Sequence, residues 1–191
     1  MIVIFIGPPY AGKGTQGKLL SQKFGNLPLF SMGALIREAR ESGNETFTKA
    51  YEEYSLKGLH VPTDIKFPLL KEKMDQAKEG FILDNFPATA DDLEMLKNYL
   101  SERNKKSDRV IYLYISEEEM RKRFKNAFRG RKDDDPEIVD VRREIQDKDR
   151  VPVLEFYRSQ NILSELNGEG DIDKIHQKIL EEISKGENKN D

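Results

Sequence analysis

The chain has 191 residues, of which 37% are hydrophobic and 35% are charged, so the composition predicts one soluble domain with a real core. Its formal net charge of −3 argues against a nucleic-acid-binding protein, and the absence of cysteine excludes a disulfide framework, a thiol nucleophile and a cysteine zinc site. The longest strongly apolar run, Ile2–Ile6, is far too short to span a membrane. We therefore expect neither nucleic acid nor a membrane as a partner.

Five short apolar segments predict β-strands. They are Ile2–Ile6, Leu27–Phe30, Phe81–Leu83, Arg109–Ile115 and a weaker Ile162–Leu166. Segments long enough to hold helices separate them, and strands joined in this way form right-handed crossovers and a parallel sheet. The nearly continuous apolar character of the first and fourth segments is typical of strands that are covered on both faces. The pattern therefore predicts an α/β fold.

Two further features concern helices. Asp135 before Pro136 is the pairing of a capping side chain with proline at the first helical position, so a helix is predicted to begin there. Pro152 should kink or split that helix, because proline lacks an amide hydrogen and clashes with the preceding turn. The polar, weakly patterned stretch 40–53 predicts a small insert with little core of its own.

The segment Gly7–Thr15 predicts a phosphate-binding loop. It follows the first strand and precedes a helical pattern, and its glycines let successive backbone N–H groups turn toward phosphate oxygens. The helix N-terminus adds unpaired donors, and Lys13 would reach the β- and γ-phosphates of ATP. The strict motif has serine or threonine directly after the lysine, whereas here Gly14 intervenes before Thr15. The expected ATP contacts in this loop are Tyr10, Ala11, Gly12, Lys13, Gly14 and Thr15.

Asp84 ends the predicted strand that starts at Phe81. In phosphate-loop proteins an aspartate at the end of a buried strand lies beside Mg²⁺, usually with water between them. The alternative is an ordinary capping or turn aspartate. With a phosphate loop in the same chain we favour the magnesium role, and Mg²⁺ bound together with ATP is the cofactor that this predicts.

Seven segments, taken in order, resemble the adenylate kinase family of nucleoside monophosphate kinases. They are Gly7–Thr15, Ser31–Arg37, Gly58–Asp64, Gly80–Pro87, the stretch from Gly130 to Arg142, Pro152–Tyr157 and Gly170. Apart from the phosphate loop, no single segment is specific for this family. The order and spacing of the seven segments together are specific. The resemblance implies a single kinase domain over residues 1–191 with the P-loop NTPase fold, which is a five-stranded parallel sheet flanked by helices. It also implies a small helical acceptor-binding insert at 31–61 and a short, zinc-free lid at 121–134.

The same resemblance implies the reaction and the roles of several residues. The γ-phosphate of Mg·ATP would pass to a nucleoside monophosphate, with AMP as the leading acceptor and CMP, UMP or dCMP behind it. Arg37 would hold the phosphate of the acceptor, while Arg131 and Arg142 would bridge the donor and acceptor phosphates. The catalytic residues would thus be Lys13, Arg131 and Arg142. Arg142 rather than its neighbour Arg143 is favoured by the spacing to Pro152.

On the ATP side, the family has a lid arginine that stacks on the base, and either Arg123 or Arg129 could be that residue. Gly170 would let the backbone approach the adenine, although a plain turn glycine is nearly as good an interpretation. His60 falls in the acceptor segment, where a surface or core histidine is the simpler interpretation.

The acceptor side departs from the family pattern. Met32 stands where the family has threonine, Asn85 replaces a glycine, Ala88 replaces an arginine that clamps the acceptor phosphate, and Asp92 replaces a glutamine that reads the adenine edge. The residues expected around the acceptor are Met32, Arg37, Val61, Asn85, Phe86, Pro87, Ala88, Asp92, Arg131 and Arg142.

These departures leave three hypotheses open. The favoured one is a working nucleoside monophosphate kinase. The second is an ATP-binding sensor or scaffold that has lost acceptor phosphorylation, and the third is a kinase on the same scaffold with another small-molecule acceptor. The sequence shows no heptads, which predicts a monomer, and no targeting signal, which predicts a cytoplasmic location.

Overall fold

The computed structural model describes residues 1–126 and 135–187. Within these residues five strands form one sheet in the order β2-β3-β1-β4-β5, and every neighbouring pair is parallel. The strands are β1 (Ile2–Ile6), β2 (Leu29–Ser31), β3 (Phe81–Asp84), β4 (Arg109–Tyr114) and β5 (Leu163–Asn167). The α/β class and the parallel sheet predicted from the sequence are therefore confirmed.

Strand β1 lies in the middle of the sheet, and all five of its residues are buried. Alternate side chains enter two different cores: Ile4 packs in the cluster on one face, while Val3 and Phe5 pack in the cluster on the other. This two-sided burial explains why β1 has no polar face. Strand β2 begins two residues later than the pattern predicts, since its pairing with β3 starts at Leu29, opposite Ile82.

Nine α-helices surround the sheet in the described residues. They are α1 (Lys13–Lys23), α2 (Met32–Glu41), α3 (Glu45–Glu53), α4 (Thr63–Gln76), α5 (Ala90–Ser101), α6 (Glu117–Asn126), α7 (Pro136–Asp149), α8 (Val151–Ser159) and α9 (Ile172–Glu187). Asp135 caps α7 through the amide of Glu137, and the helix is split before Pro152, as the sequence predicts. None of the helices in 1–126 and 135–187 combines the length and the apolar character that a bilayer requires.

The stretch expected to form an insert with little core of its own contains the end of α2 and all of α3. Phe47 and Ala50 on α3 are buried, but they belong to the same hydrophobic cluster as Ile4 and Leu83 of the sheet. This stretch is therefore anchored on the main core.

Candidate active site

A large cleft lies where the strands end. Because the strands are parallel, the loop after β1, the start of α2, the residues after β3 and the loop after β5 meet at one edge of the sheet, which is where ligands bind in open α/β sheets. The cleft has a volume of about 1060 Å³. Its lining includes the whole predicted ATP-contacting loop from Tyr10 to Thr15, together with Arg37, Asp84 and Arg142.

The loop after β1 has the backbone curvature that phosphate binding requires. Tyr10 and Gly12 adopt the left-handed conformation, with φ of 64° and 90°. At Gly7 a β-carbon would lie 2.3 Å from the carbonyl oxygen of Leu113, so only glycine fits there. Lys13 begins α1 and donates from Nζ to the carbonyl oxygens of Gly7 and Pro8, at 2.8 Å each. Its ammonium group is thus held over the loop, beside the N-terminus of the helix.

Asp84 faces this loop from the end of β3. Its Oδ2 lies 3.6 Å from the point that a β-carbon on Gly14 would occupy. Its Oδ1 is buried and accepts no hydrogen bond from any residue in the described part of the chain. A carboxylate oxygen left in this state beside a phosphate loop fits a hydrated Mg²⁺ ion as its partner.

Arg123 joins three elements at the donor end of the cleft. Its guanidinium donates to the carbonyl oxygen of Tyr10 at 3.1 Å, to that of Gly168 at 2.8 Å and to the carboxylate of Glu119 at 2.8 Å. The hydrogen bond from Arg123 is the main reason that the pKa of Glu119 lies below its usual value. Arg123 lines the cleft, as one of the two open possibilities requires, whereas Arg129 lies outside the described residues.

Two glycines after β5 complete the donor end. Gly170, expected from the sequence, lines the cleft with φ of 99°, and no atom of the described residues lies within 4 Å of where a β-carbon would be. Gly168 was not expected. It also lines the cleft, and a β-carbon there would lie 2.8 Å from the carbonyl oxygen of Ala11 in the phosphate loop. The only sequence signal for Gly168 is its place directly after a predicted strand.

Most of the expected acceptor residues line the other half of the cleft. Met32, Arg37, Val61, Asn85 and Ala88 are in its lining. Phe86 and Pro87, between Asn85 and Ala88, are not in the lining.

Phe86 and Pro87 need a correction as contact residues. Both are buried, and Phe86 is fully enclosed in the hydrophobic core beside Phe67. They hold the backbone of Asn85 and Ala88 in place rather than offering side chains to a ligand in the cleft.

Helix α7 contributes Arg142 to the cleft. Its Nη2 donates to the carbonyl oxygen of Ser55 at 3.2 Å. Arg143 lies on another side of the helix, where its Nε is 3.4 Å from Asp147 and its Nη1 is 3.4 Å from the sulfur of Met120. Of these two arginines, Arg142 lines the cleft and Arg143 does not. Arg131, the other expected bridging arginine, lies outside the described residues.

Asp92 also needs a correction. The sequence suggested that it meets the acceptor, but its side chain is completely buried beneath the cleft. Its two oxygens accept hydrogen bonds from the Thr63 hydroxyl at 2.5 Å, from Lys66 Nζ at 2.8 Å and from the amide of Ala88 at 3.0 Å. Lys66 lines the cleft instead. Sequence reasoning missed Lys66, because nothing in the pattern pairs two residues on different helices.

His60 lies next to Lys66 at the acceptor end. Its side chain is 16% exposed and its Nε2 is 3.7 Å from Asp149 Oδ2. Burial, followed by the positive charge of Lys66, lowers the pKa of His60 below its usual value. The histidine is therefore a mostly buried part of the cleft wall, and its surroundings favour the neutral form.

Comparison with known proteins agrees with this geometry. The family model described as adenylate kinase matches residues 5–162. Adenylate kinase from Archaeoglobus fulgidus is 35% identical over 210 aligned residues, which cover 94% of this chain and 96% of that protein. The chain belongs to the adenylate kinase family.

Other adenylate kinases are equally similar. The one from Mycolicibacterium smegmatis is 37% identical over 182 residues, covering 94% of this chain and 97% of its own length. The one from Leptospira biflexa is 33% identical over 185 residues, covering 95% and 98%. The resemblance drawn from the motifs is thereby confirmed, and so are the P-loop NTPase fold and the phosphotransferase class. Family membership favours a working adenylate kinase over a sensor or scaffold that has lost acceptor phosphorylation.

Proposed function

We propose that this chain transfers the γ-phosphoryl group of Mg·ATP to the phosphate of AMP, giving two molecules of ADP. The observation that carries the proposal is that one cleft is lined both by the phosphate loop and by Arg37. AMP is preferred to CMP, UMP or dCMP as acceptor because the relatives that match nearly the full length are adenylate kinases.

The phosphate loop would bind the donor. Its inward-facing amides and the N-terminus of α1 provide hydrogen bonds and a favourable dipole for the β- and γ-phosphates. Lys13 would exchange its present bonds to the carbonyls of Gly7 and Pro8 for phosphate oxygens. Arg123 and Gly170 would flank the adenine, since both line the donor end of the cleft.

Mg²⁺ would be held with the ATP phosphates by Asp84, through water, and by the hydroxyl of Thr15. The buried Oδ1 of Asp84, which accepts no hydrogen bond within 1–126 and 135–187, supports this assignment. The ion would neutralise charge on the β- and γ-phosphates.

Arginines would position the two phosphates for transfer. Arg37 would hold the acceptor phosphate. An oxygen of that phosphate would attack the γ-phosphorus of ATP as the bond from the γ-phosphorus to the β–γ bridging oxygen breaks and ADP leaves. Arg142 would neutralise charge on the transferred group, whose equatorial oxygens match the fixed donors of a guanidinium. Arg131, which lies outside the described residues, is proposed for the same role.

We also propose that residues 31–61 form the acceptor-binding insert and residues 121–134 a short lid. Support for the insert comes from its contact with α7. Gly58 has φ of 74°, and a β-carbon there would lie 2.9 Å from the amide nitrogen of Arg142. Gly58, within the proposed insert, thus lies against the helix that carries a proposed catalytic arginine. We expect a monomer, which sedimentation would test.

The reverse reaction tests the proposal without labelled substrate. Wild-type protein given Mg·ADP alone should form equal amounts of ATP and AMP. Arg37→Met should lose most of this activity, because it removes a charged partner of a phosphate. Arg40→Met is the matched control, since Arg40 lies on the same helix, packs over the Tyr51 ring and is absent from the cleft lining. A wild type that leaves ADP unchanged, or equal activity in the two variants, would contradict the proposal.

A further inference from the structure

Lys66 and Asp92 form a buried ion pair at the acceptor end of the cleft. Their side chains are 3% and 0% exposed, and Lys66 Nζ lies 2.8 Å from Asp92 Oδ2. Asp92 is satisfied without further partners, because Thr63 and the amide of Ala88 also donate to it. Charges are costly to bury, even as a pair, unless the remaining donors and acceptors are satisfied as well.

The ammonium group of Lys66 does not meet that condition. It has three N–H donors. Within the described residues it makes one hydrogen bond, which goes to Asp92. The nearest aromatic ring, that of Phe86, has its centroid 5.7 Å from Nζ and can face one further N–H. At least one donor on a nearly completely buried cation is therefore left for a group that enters the cleft.

The position of Lys66 indicates which part of a ligand it would meet. A second cavity of about 790 Å³ adjoins the cleft, and the two share His60, Val61 and Lys66 in their linings. The phosphate loop does not line this second cavity. Lys66 thus lies in the end wall of the cleft, on the side remote from Lys13. In a transfer reaction the acceptor phosphate must point toward the phosphate loop, so the opposite end of the acceptor, its base, is the part that reaches Lys66.

We propose that Lys66 is an acceptor-recognising residue that donates a hydrogen bond to a ring nitrogen of the AMP base. Asp92 is its positioning residue, holding the ammonium group at the cleft wall through Oδ2. The inference rests on the proposed function, and it adds a chemical rule: an ammonium can only donate, so the base must present an accepting atom at this point.

The test combines variants with AMP analogues in which one ring nitrogen is replaced by CH, at position 1, 3 or 7. In wild type one of the three analogues should have a KM about 10- to 100-fold above that of AMP, because it loses a hydrogen bond to a charged donor. In Lys66→Met the KM for AMP should rise by a similar factor, and the discrimination against that analogue should disappear. The KM for ATP should not change.

Lys66→Met leaves Asp92 buried without its counter-charge and could unfold the protein. The second variant is therefore Lys66→Met with Asp92→Asn, which removes both charges. The asparagine oxygen can accept from the amide of Ala88, while its NH2 group donates to the Thr63 hydroxyl. Lys71→Met is the matched control, since Lys71 lies on the same helix and pairs with Asp75 at the surface. Its thermal stability and kinetic constants should stay close to those of wild type.

The inference is overturned if the folded double variant keeps the wild-type KM for AMP, or if it discriminates against the same analogue as wild type does. Failure of the proposed function gives a different result, namely a wild type that phosphorylates none of the acceptors. Restoration of analogue discrimination by Lys66→Arg would support recognition by a cationic donor.

Discussion

Replacing Gly168 with alanine should weaken ATP binding through a steric clash alone. Gly168 is not in the left-handed conformation, so alanine causes no backbone strain there. A β-carbon would, however, lie 2.8 Å from the carbonyl oxygen of Ala11, whereas ordinary contacts begin at 3.4 Å. The phosphate loop and the loop after β5 must therefore separate by about 0.6 Å. A misplacement of 1 Å at a reacting group costs on the order of 100-fold, so we expect kcat/KM for ATP to fall about 10-fold.

Steady-state kinetics with varied ATP, together with a thermal melt, would measure this effect. Overpacking should also cost about 1–3 kcal/mol of stability. Gly43→Ala is the contrasting variant, because Gly43 has φ of 84° and open space around it, and is not in the cleft lining. It should lower the Tm by about 2–8 °C through backbone strain and leave the KM for ATP unchanged. Wild-type kcat/KM for ATP in Gly168→Ala would refute the reasoning.

Four further results are expected. Lys13→Met should abolish phosphoryl transfer while the circular dichroism spectrum stays that of wild type; transfer at the wild-type rate would show that the phosphate loop is misassigned. Ala88→Arg should lower the KM for AMP about 10-fold by adding a charged donor at the cleft, and an unchanged or higher KM would mean that AMP lies elsewhere. Arg123→Met should raise the KM for ATP more than Arg129→Met does, and the opposite order would assign base stacking to Arg129. Because the pKa of His60 is lowered in the folded protein, the unfolded chain binds this proton more readily. The free energy of unfolding should therefore be highest above the usual pKa of 6.5 and decrease as the pH falls below it. Urea midpoints should depend less on pH in His60→Asn than in wild type, and an identical dependence would contradict this.

The sheet could be predicted from the sequence because its strands are buried on both faces. Ile2–Ile6 has the same bounds in the pattern and in the structure, since the whole segment is apolar and fully enclosed. The bounds of the short edge strand β2 were predicted less well, because they depend on pairing with β3 and not on the composition of β2 itself. The start of α7 after Asp135 and the break before Pro152 could be predicted because capping side chains and proline act locally.

The candidate site could be predicted only where function depends on a continuous segment. The phosphate loop directly follows β1 and Asp84 ends β3, so the local pattern was enough to indicate both. Asp92 was misjudged because its burial depends on Lys66, which lies 26 residues earlier and on a different helix. Gly168 was missed for a similar reason: its close approach is to Ala11, at the other end of the chain.

The central claim, that this adenylate kinase family member phosphorylates AMP, is tested most directly by following the γ-phosphate of labelled Mg·ATP. The protein should be incubated with each ribo- and deoxyribonucleoside monophosphate in turn, and the products separated. The account predicts that the label appears in ADP formed from AMP, with lower yields from CMP, UMP and dCMP. The absence of labelled diphosphate from every acceptor, in a preparation shown to bind ATP, would contradict it.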